Sequence, residues 1–295
     1  MTNRTAKRRG IILAGGTGSR LHPATVSVSK QLMPVFDKPM IYYPLSTLME
    51  ADIREVLVIT TPDDQAAFRK LLGDGSQLGM EIAYAVQPSP DGLAQALIIA
   101  EAFLDGHPSA LVLGDNLFFG TEFNAAIREA SARTEGATVF GYHVRNPSAY
   151  GVISFDANGR AVSLEEKPKA PKSNYAVTGL YFYDADAPVH AKTITPSARG
   201  ELEITALNQI YLGRGELTVV RLGESTTWLD TGTFRSLLRA GEFVSVIEER
   251  QGRRICCPEA IAHRKGWITD EELLRLAEPL EKSGYGTYLK SLVKS

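Results

Sequence analysis

The sequence predicts an α/β fold, a mostly parallel sheet flanked by helices. Three observations carry that expectation. Short apolar runs recur at Ile11–Ala14, Glu55–Thr60 and Ser109–Leu113, each too short for a helix and rich in branched residues, as buried parallel strands are. Stretches with helical spacing alternate with them, which implies crossovers packed on both faces. The first run empties into Gly15-Gly16-Thr17-Gly18-Ser19-Arg20, a small-residue turn of the kind that lets a backbone approach a ligand at a strand end.

In order, Ile11–Ala14 reads as the first strand and Asp37-Lys38-Pro39 as a loop. Pro44–Met49 begins or continues a helix. Glu55–Thr60 is the second strand, Asp63–Leu72 a helix with Phe68, Leu71 and Leu72 on one side, and Glu81–Val86 the third strand. Leu93–Leu104 reads as one helix, with Leu93, Leu97, Ala100 and Leu104 sharing a face. Ser109–Leu113 is the fourth strand and ends at Gly114-Asp115-Asn116; Glu122–Thr134 is a helix and Ala137–Val144 a strand. The pattern then changes. Val152–Phe155, Ala161–Glu165 and Ala176–Tyr183 are strands, Pro188–Ile194 and Glu203–Leu212 helices, and Leu217–Leu222 another strand. After Trp228–Gly232 the chain is mostly helical, at Phe234–Glu249, Thr269–Ala277 and Tyr285–Val293. No low-complexity linker interrupts this order, so one domain is expected over 1–295: a flexible tail 1–9, an α/β core 10–145, a mixed segment 146–232 and a helical segment 233–295.

Bulk composition narrows the function classes. The chain has 295 residues, 44% hydrophobic and 22% charged, with a net charge of −2. That balance gives no general attraction to nucleic acid or to an anionic membrane. The cluster Arg4, Lys7, Arg8 and Arg9 reads as a solvated tail. No apolar run approaches the roughly 18 residues of a membrane span, and residues 1–10 lack the apolar core of a signal peptide. The two cysteines, Cys256 and Cys257, are adjacent and cannot staple a chain this size, which points to a reducing, cytoplasmic setting. The five histidines are scattered and show no zinc-ligand spacing. There is no Gly-x-Ser-x-Gly elbow.

The chemistry-bearing residues sit at strand ends. Gly15, Gly16, Thr17 and Gly18 offer backbone N–H groups, and Arg20 and Lys30 offer cations, a combination suited to phosphate. A P-loop is excluded because no lysine follows a glycine at the required spacing, and a dinucleotide fingerprint because Leu21 stands where its third glycine belongs. An ordinary tight turn would favour the same glycines; the two cations tilt the reading. Asp115 and Asp230 each follow an apolar run and could serve as turn residues, or jointly as oxygen ligands for Mg²⁺. Glu166 and Lys167 fit either a charged turn or a sugar-phosphate contact. Gln87, in a Pro- and Gly-rich loop leading through Gly92 to Leu93, can pair with a base edge or simply cap a helix. Tyr150-Gly151 opens a strand and could be a turn.

Together these motifs closely resemble the glucose-1-phosphate thymidylyltransferase family. The matching stretches are Gly10–Leu21, Ser29–Pro34, Asp37–Ser46, Tyr84–Gln95, Leu113–Asn116, Leu164–Pro168, Lys172–Asp184, Arg199–Thr205 and Trp228–Gly232, within a resemblance that covers 10–292. GGTGSR alone marks only the wider sugar-nucleotidyltransferase superfamily; DKPMIYYPLS, QPSPDGLAQA and SNYAVTGLYFYD are more specific.

The resemblance implies a Rossmann-like core and Mg²⁺-dependent transfer of dTMP from dTTP to glucose 1-phosphate, giving dTDP-glucose and pyrophosphate by direct in-line displacement. It implies a first step in dTDP-deoxysugar synthesis, with dTDP-L-rhamnose the expected product line. By position, Gly15, Gly16, Thr17 and Gly18 wrap the phosphates, Arg20 and Lys30 neutralise them, and Gln31 lies beside Lys30. Gln87 and Gly92 meet the thymine edge, with Leu13 and Leu93 packing on the base. Asp115 and Asp230 hold Mg²⁺, and Lys167 holds the sugar phosphate. Asn116, Tyr150, Gly151, Glu166, Asn174 and Val177 line the glucose pocket. The resemblance further implies a homotetramer inhibited by dTDP-rhamnose at a second site involving Ile261 and Arg264. Ala260 stands where relatives carry Glu, and Ala206 where they carry Asp. The same chemistry with UTP or another sugar 1-phosphate is the near alternative; a non-catalytic sensor would be expected to lack Arg20, Lys30, Asp115, Lys167 or Asp230, and all five are present.

Overall fold

The computed structural model describes residues 7–293. The chain runs β1 (Arg9–Ala14), β2 (Pro34–Val35), β3 (Lys38–Pro39), α1 (Tyr42–Glu50), β4 (Glu55–Thr60), α2 (Gln65–Leu72), β5 (Glu81–Val86), α3 (Gln95–Ile99), α4 (Glu101–Leu104), β6 (Ser109–Leu113), β7 (Asn116–Phe119), α5 (Thr121–Ala132) and β8 (Ala137–His143). It continues through β9 (Gly151–Phe155), β10 (Ala161–Glu166), β11 (Tyr175–Tyr183), α6 (Ala187–Ala191), α7 (Ile204–Gly213), β12 (Leu217–Arg221), β13 (Thr227–Asp230), α8 (Phe234–Gln251), α9 (Pro258–Arg264), α10 (Asp270–Ala277) and α11 (Gly284–Leu292).

The central sheet follows the order β10-β9-β11-β6-β1-β4-β5, with β8 and β12 joined through β11. The half made by β6, β1, β4 and β5 is parallel throughout. The half beyond it is mixed: β11 runs antiparallel to β6, β8 and β9, while β12 and β8 are parallel. The pleat divides the core. Along β1 and β4, Ile12, Ala14, Val56 and Val58 face a cluster built from α1, α2, α5 and the C-terminal helices. Ile11, Leu13, Leu57 and Ile59 face the opposite cluster, built from α3, α4, α6 and α7. Burial of both strand faces explains the continuous apolar runs in the sequence.

Strand order reverses between β1 and β6: β4 and β5 continue on one side of β1, while β6 lies on the other. That switch point opens a crevice at the carboxyl ends of the two strands. A separate antiparallel pair, β7 with β13, crosses its rim and registers Asn116 opposite Asp230. Beside it the β2–β3 hairpin packs on α8 through Val35, Met40, Ala240 and Val244.

Three local expectations are corrected. The end of the expected tail is not solvated: Arg8 is 7% exposed and donates to the Tyr183 carbonyl at 2.8 Å, while Arg9 begins β1 and pairs with Glu55 at 2.9 Å. Burial pulls the Arg8 guanidinium down to about 10 against the opposing pull of Asp184. Arg4 lies outside the described residues. The Asp37–Pro39 loop carries a strand, and Lys38 is 2% exposed because Glu248 receives its ammonium at 2.9 Å. The expected helix at 93–104 is two short helices broken at Ala100, with Leu93 outside both.

Candidate active site

A cleft of about 620 Å³ occupies the switch point. At one wall β1 ends in Gly15 and Gly16. Gly15 is buried, and a Cβ there would lie 2.2 Å from Gln87 Oε1; Gly16 is exposed with open space above it. Arg20 reaches across the floor past Gly232, where a Cβ would meet its guanidinium at 2.7 Å. A side chain at either glycine would close the cleft on a group that lines it.

Lys30 and Asp115 form an ion pair whose side chains are 10% and 17% exposed. Asn116 Nδ2 adds a hydrogen bond to Asp115 Oδ1 at 2.9 Å. Burial opposes the Asp115 charge, but the Lys30 ammonium and these hydrogen bonds outweigh it and hold the carboxyl below its usual range. Thr231 fixes the same corner: its backbone N–H and its hydroxyl both donate to the Asp115 carbonyl, at 3.1 and 2.8 Å. Asp230, one residue earlier, accepts from the Gly232 N–H at 2.9 Å and from the Tyr150 hydroxyl at 3.4 Å. Burial and the Asp230 charge push the Tyr150 phenol up to about 12, so it stays a donor at neutral pH. The β7–β13 ladder thus sets two carboxylates, 115 positions apart in the chain, on one rim.

Gln87 closes one end. It follows β5, is 5% exposed, and donates from Nε2 to Gln95 Oε1 at 2.6 Å. Gly92 holds φ at +113°, and a Cβ there would strike the Leu202 backbone at 2.4 Å. Leu202 ties this loop down by donating to the Asp91 carbonyl at 2.6 Å and accepting from Ala94 at 3.0 Å. Leu13 and Leu93 supply apolar wall.

The other end is polar. Glu166 closes β10 and takes a hydrogen bond from the Thr205 hydroxyl. Lys167 follows at φ +41° and lies 3.4 Å from Glu166, its side chain 45% exposed. Arg199 gathers Glu203 at 2.7 Å, Glu201 at 3.3 Å and Glu166 at 3.5 Å. Asn116 Oδ1 accepts from Trp228 Nε1 at 2.6 Å and the Gly179 N–H at 3.1 Å, and Tyr150 packs edge-on against Trp228. Gly151 and Val177 complete this wall.

Seventeen sequence-chosen residues therefore border one cleft: Leu13, Gly15, Gly16, Arg20, Lys30, Gln31, Gln87, Gly92, Leu93, Asp115, Asn116, Tyr150, Gly151, Glu166, Lys167, Val177 and Asp230. Five do not. Thr17 is exposed outside the lining, and the Gly18 carbonyl is engaged by Thr25 at 2.8 Å. Asn174 is exposed just before β11, its carbonyl accepting from Val144 at 2.9 Å. Ile261 is 6% exposed in the core, and Arg264 pairs with Glu50 at the end of α1. Residues given no role from sequence also line the cleft, among them Gly179, Tyr181, Glu201, Glu203, Thr205 and Trp228. The signal for three of these was the Arg199–Thr205 match, read without roles because its strap shape is invisible in one dimension.

A family model for nucleotidyl transferases matches residues 9–246. A glucose-1-phosphate thymidylyltransferase of Xanthomonas campestris pv. campestris is 58% identical over 288 residues, spanning 98% of each chain. Those of Neisseria meningitidis serogroup A and Mycobacterium tuberculosis are 58% and 56% identical over 286 residues, 97% of this chain and 99% of each relative. Among solved structures, a Bacillus anthracis protein assigned to the same activity, crystallised with sucrose, superposes with TM-score 0.74 at 41% identity, covering 80% of this chain and 94% of that one. A UDP-glucose pyrophosphorylase bound to UDP-glucose superposes with TM-score 0.72 at 21% identity, a likeness of fold alone, over 82% of this chain and 99% of that one.

Proposed function

The chain belongs to the glucose-1-phosphate thymidylyltransferases of the nucleotidyl transferase family, and we propose that the cleft transfers dTMP from dTTP to glucose 1-phosphate by direct, Mg²⁺-assisted displacement. One observation carries this reading: two carboxylates, Asp115 and Asp230, share a rim with the cations Arg20 and Lys30 at the switch point of the sheet. A sugar-phosphate oxygen attacks the α-phosphorus, the bond from that phosphorus to the bridging oxygen breaks, and pyrophosphate leaves with the electron pair. The nucleophile is already an anion, so no general base is required. The work lies in aligning two polyanions and offsetting their repulsion.

The chain's own groups divide that work. Gly15, Gly16 and Arg20 receive the nucleotide phosphates, with Thr17 and Gly18 shaping the turn. Lys30 is preset by Asp115, so little reorganisation is needed when phosphate arrives. Gln87 and the Gly92 backbone take the base edge, with Leu13 and Leu93 against its faces. Lys167, exposed at the cleft, receives the sugar phosphate. Asn116, Tyr150, Gly151, Glu166 and Val177 contact glucose, and a sugar lacking a hydroxyl leaves one of them unpaired.

No group of three or more metal-ligating side chains occurs among the described residues. Two carboxylates suit Mg²⁺ nonetheless, because it keeps several waters and binds through one or two carboxylates plus substrate phosphates. Asp115 and Asp230 would hold it, and when bound it supplies neutralisation of the phosphate charge. The same reading extends to a cytoplasmic homotetramer that opens a dTDP-deoxysugar route, dTDP-L-rhamnose foremost, with dTDP-rhamnose inhibiting through the region of Ile261 and Arg264.

The direct test measures pyrophosphate release with dTTP and UTP crossed against glucose, galactose and glucosamine 1-phosphates. Highest kcat/KM for dTTP with glucose 1-phosphate is expected. A maximum at another pair would overturn the substrate assignment, and no release with any pair would overturn catalysis.

A further inference from the structure

Behind Gln87 runs a polar relay that none of the assigned roles uses. Asp91 Oδ2 accepts from Gln95 Nε2 at 2.9 Å and from the Ser89 hydroxyl at 2.5 Å. Gln95, with its amide nitrogen committed to Asp91, turns its oxygen to Gln87 and accepts from Nε2 at 2.6 Å. The Gly92 carbonyl lies 3.5 Å from the same Nε2. Gln87 Oε1 is left against Gly15 at the cleft wall and accepts no hydrogen bond among the described residues.

An amide can be turned end for end with little change of shape, so its polarity must be set by its partners. Here the polarity is set from one end. A carboxylate only accepts, so Asp91 fixes Gln95, and Gln95 fixes Gln87. The Gly92 carbonyl, also only an acceptor, points the same way. Gln87 is 5% exposed, and a turned amide would set its oxygen against two acceptors, Gln95 Oε1 and the Gly92 carbonyl.

We propose that Gln95, anchored by Asp91, is a specificity-determining positioning residue that locks the Gln87 amide with its oxygen toward the base, so the site takes a pyrimidine bearing an N–H donor at N3. This rests on the reading that Gln87 meets the base edge. Thymine and uracil carry that donor. Cytosine carries an acceptor at N3, which would face the Gln87 oxygen unpaired. The relay accordingly separates keto pyrimidines from cytosine and is indifferent to the thymine methyl group.

The test compares kcat/KM for dTTP, dUTP and dCTP with glucose 1-phosphate in the full chain. Gln95→Lys places an ammonium, which only donates, beside Gln87 and favours the turned amide. The dTTP-to-dCTP ratio should fall about 10- to 100-fold, the worth of one buried hydrogen bond made or lost, with dUTP tracking dTTP. Gln95→Glu gives up the donor to Asp91 but still presents only acceptors to Gln87, so it should keep the ratio. Should Gln95→Lys not fold, Gln95→Leu frees the amide to turn and should lower the ratio in the same direction. An unchanged ratio in the donor or the apolar variant overturns the proposal, as does an equal fall in Gln95→Glu. Gln87→Leu separates the two levels. If it leaves the KM for dTTP unchanged, the base-edge reading fails; if it raises that KM while the Gln95 variants leave the ratio alone, only the relay fails.

Discussion

Asp115→Asn probes the electrostatic centre of the cleft. The paired side chains are 10% and 17% exposed, so the bridge is mostly shielded from water. Removing one partner of a buried pair costs about 3–5 kcal/mol when the surviving charge finds nothing else. Asparagine still offers Lys30 a carbonyl oxygen, and a hydrogen bond to a charged group returns about 1.5–3 kcal/mol. The expected net loss is ~2 kcal/mol, or ~3 °C in Tm for a chain of 295 residues. The pH dependence has a fixed sign. Because the folded protein holds the Asp115 carboxyl below its ordinary value, it contributes stability that is complete above the unfolded value of about 4 and drains away as pH falls through the folded one. The gap between wild type and variant should therefore be full at neutral pH and close on acidification. Urea unfolding followed by tryptophan fluorescence across that range measures it. Equal midpoints at pH 7, or a gap that widens as pH falls, would refute the reasoning.

Two further outcomes are expected. Lys167→Ala should raise the KM for glucose 1-phosphate far more than that for dTTP, because the ammonium sits at the sugar end, half-exposed and held only by Glu166 at 3.4 Å; the reverse pattern in initial-rate kinetics would refute its role. Added dTDP-rhamnose should lower the rate; no inhibition at millimolar effector would overturn the proposed second site.

The parallel half of the sheet was legible in the sequence because strands buried on both faces leave uninterrupted apolar runs. Glu55–Thr60 and Ser109–Leu113 fold as read on that signal, and the edge strand Glu81–Val86 also folds as read although only Ile82 in it is buried. The pair β7 and β13 was not legible. Each is 4 residues long, and their partners lie more than a hundred positions apart. Yet that pair is what converts two ordinary turn aspartates into neighbours. Helix α9 was missed because it is short and opens on Pro258, which reads as a break although proline is favoured in a first helical turn. Arg8 was read as solvated because nothing local marks an arginine whose partners, among them the Tyr183 carbonyl, come from distant strands. At the site, residue types at strand ends pointed to phosphate chemistry, but the Arg199–Glu203 strap gained meaning only once folded over the cleft.

The central claim is that Asp230, carried by β13 to the side of Asp115, supports Mg²⁺-dependent transfer. Pyrophosphate release from dTTP and glucose 1-phosphate, titrated with Mg²⁺ in wild type and Asp230→Ala, tests it most directly. The account predicts that metal-dependent turnover disappears in the variant while its unfolding midpoint stays near wild type. Near-normal turnover with an unaltered Mg²⁺ requirement would contradict it.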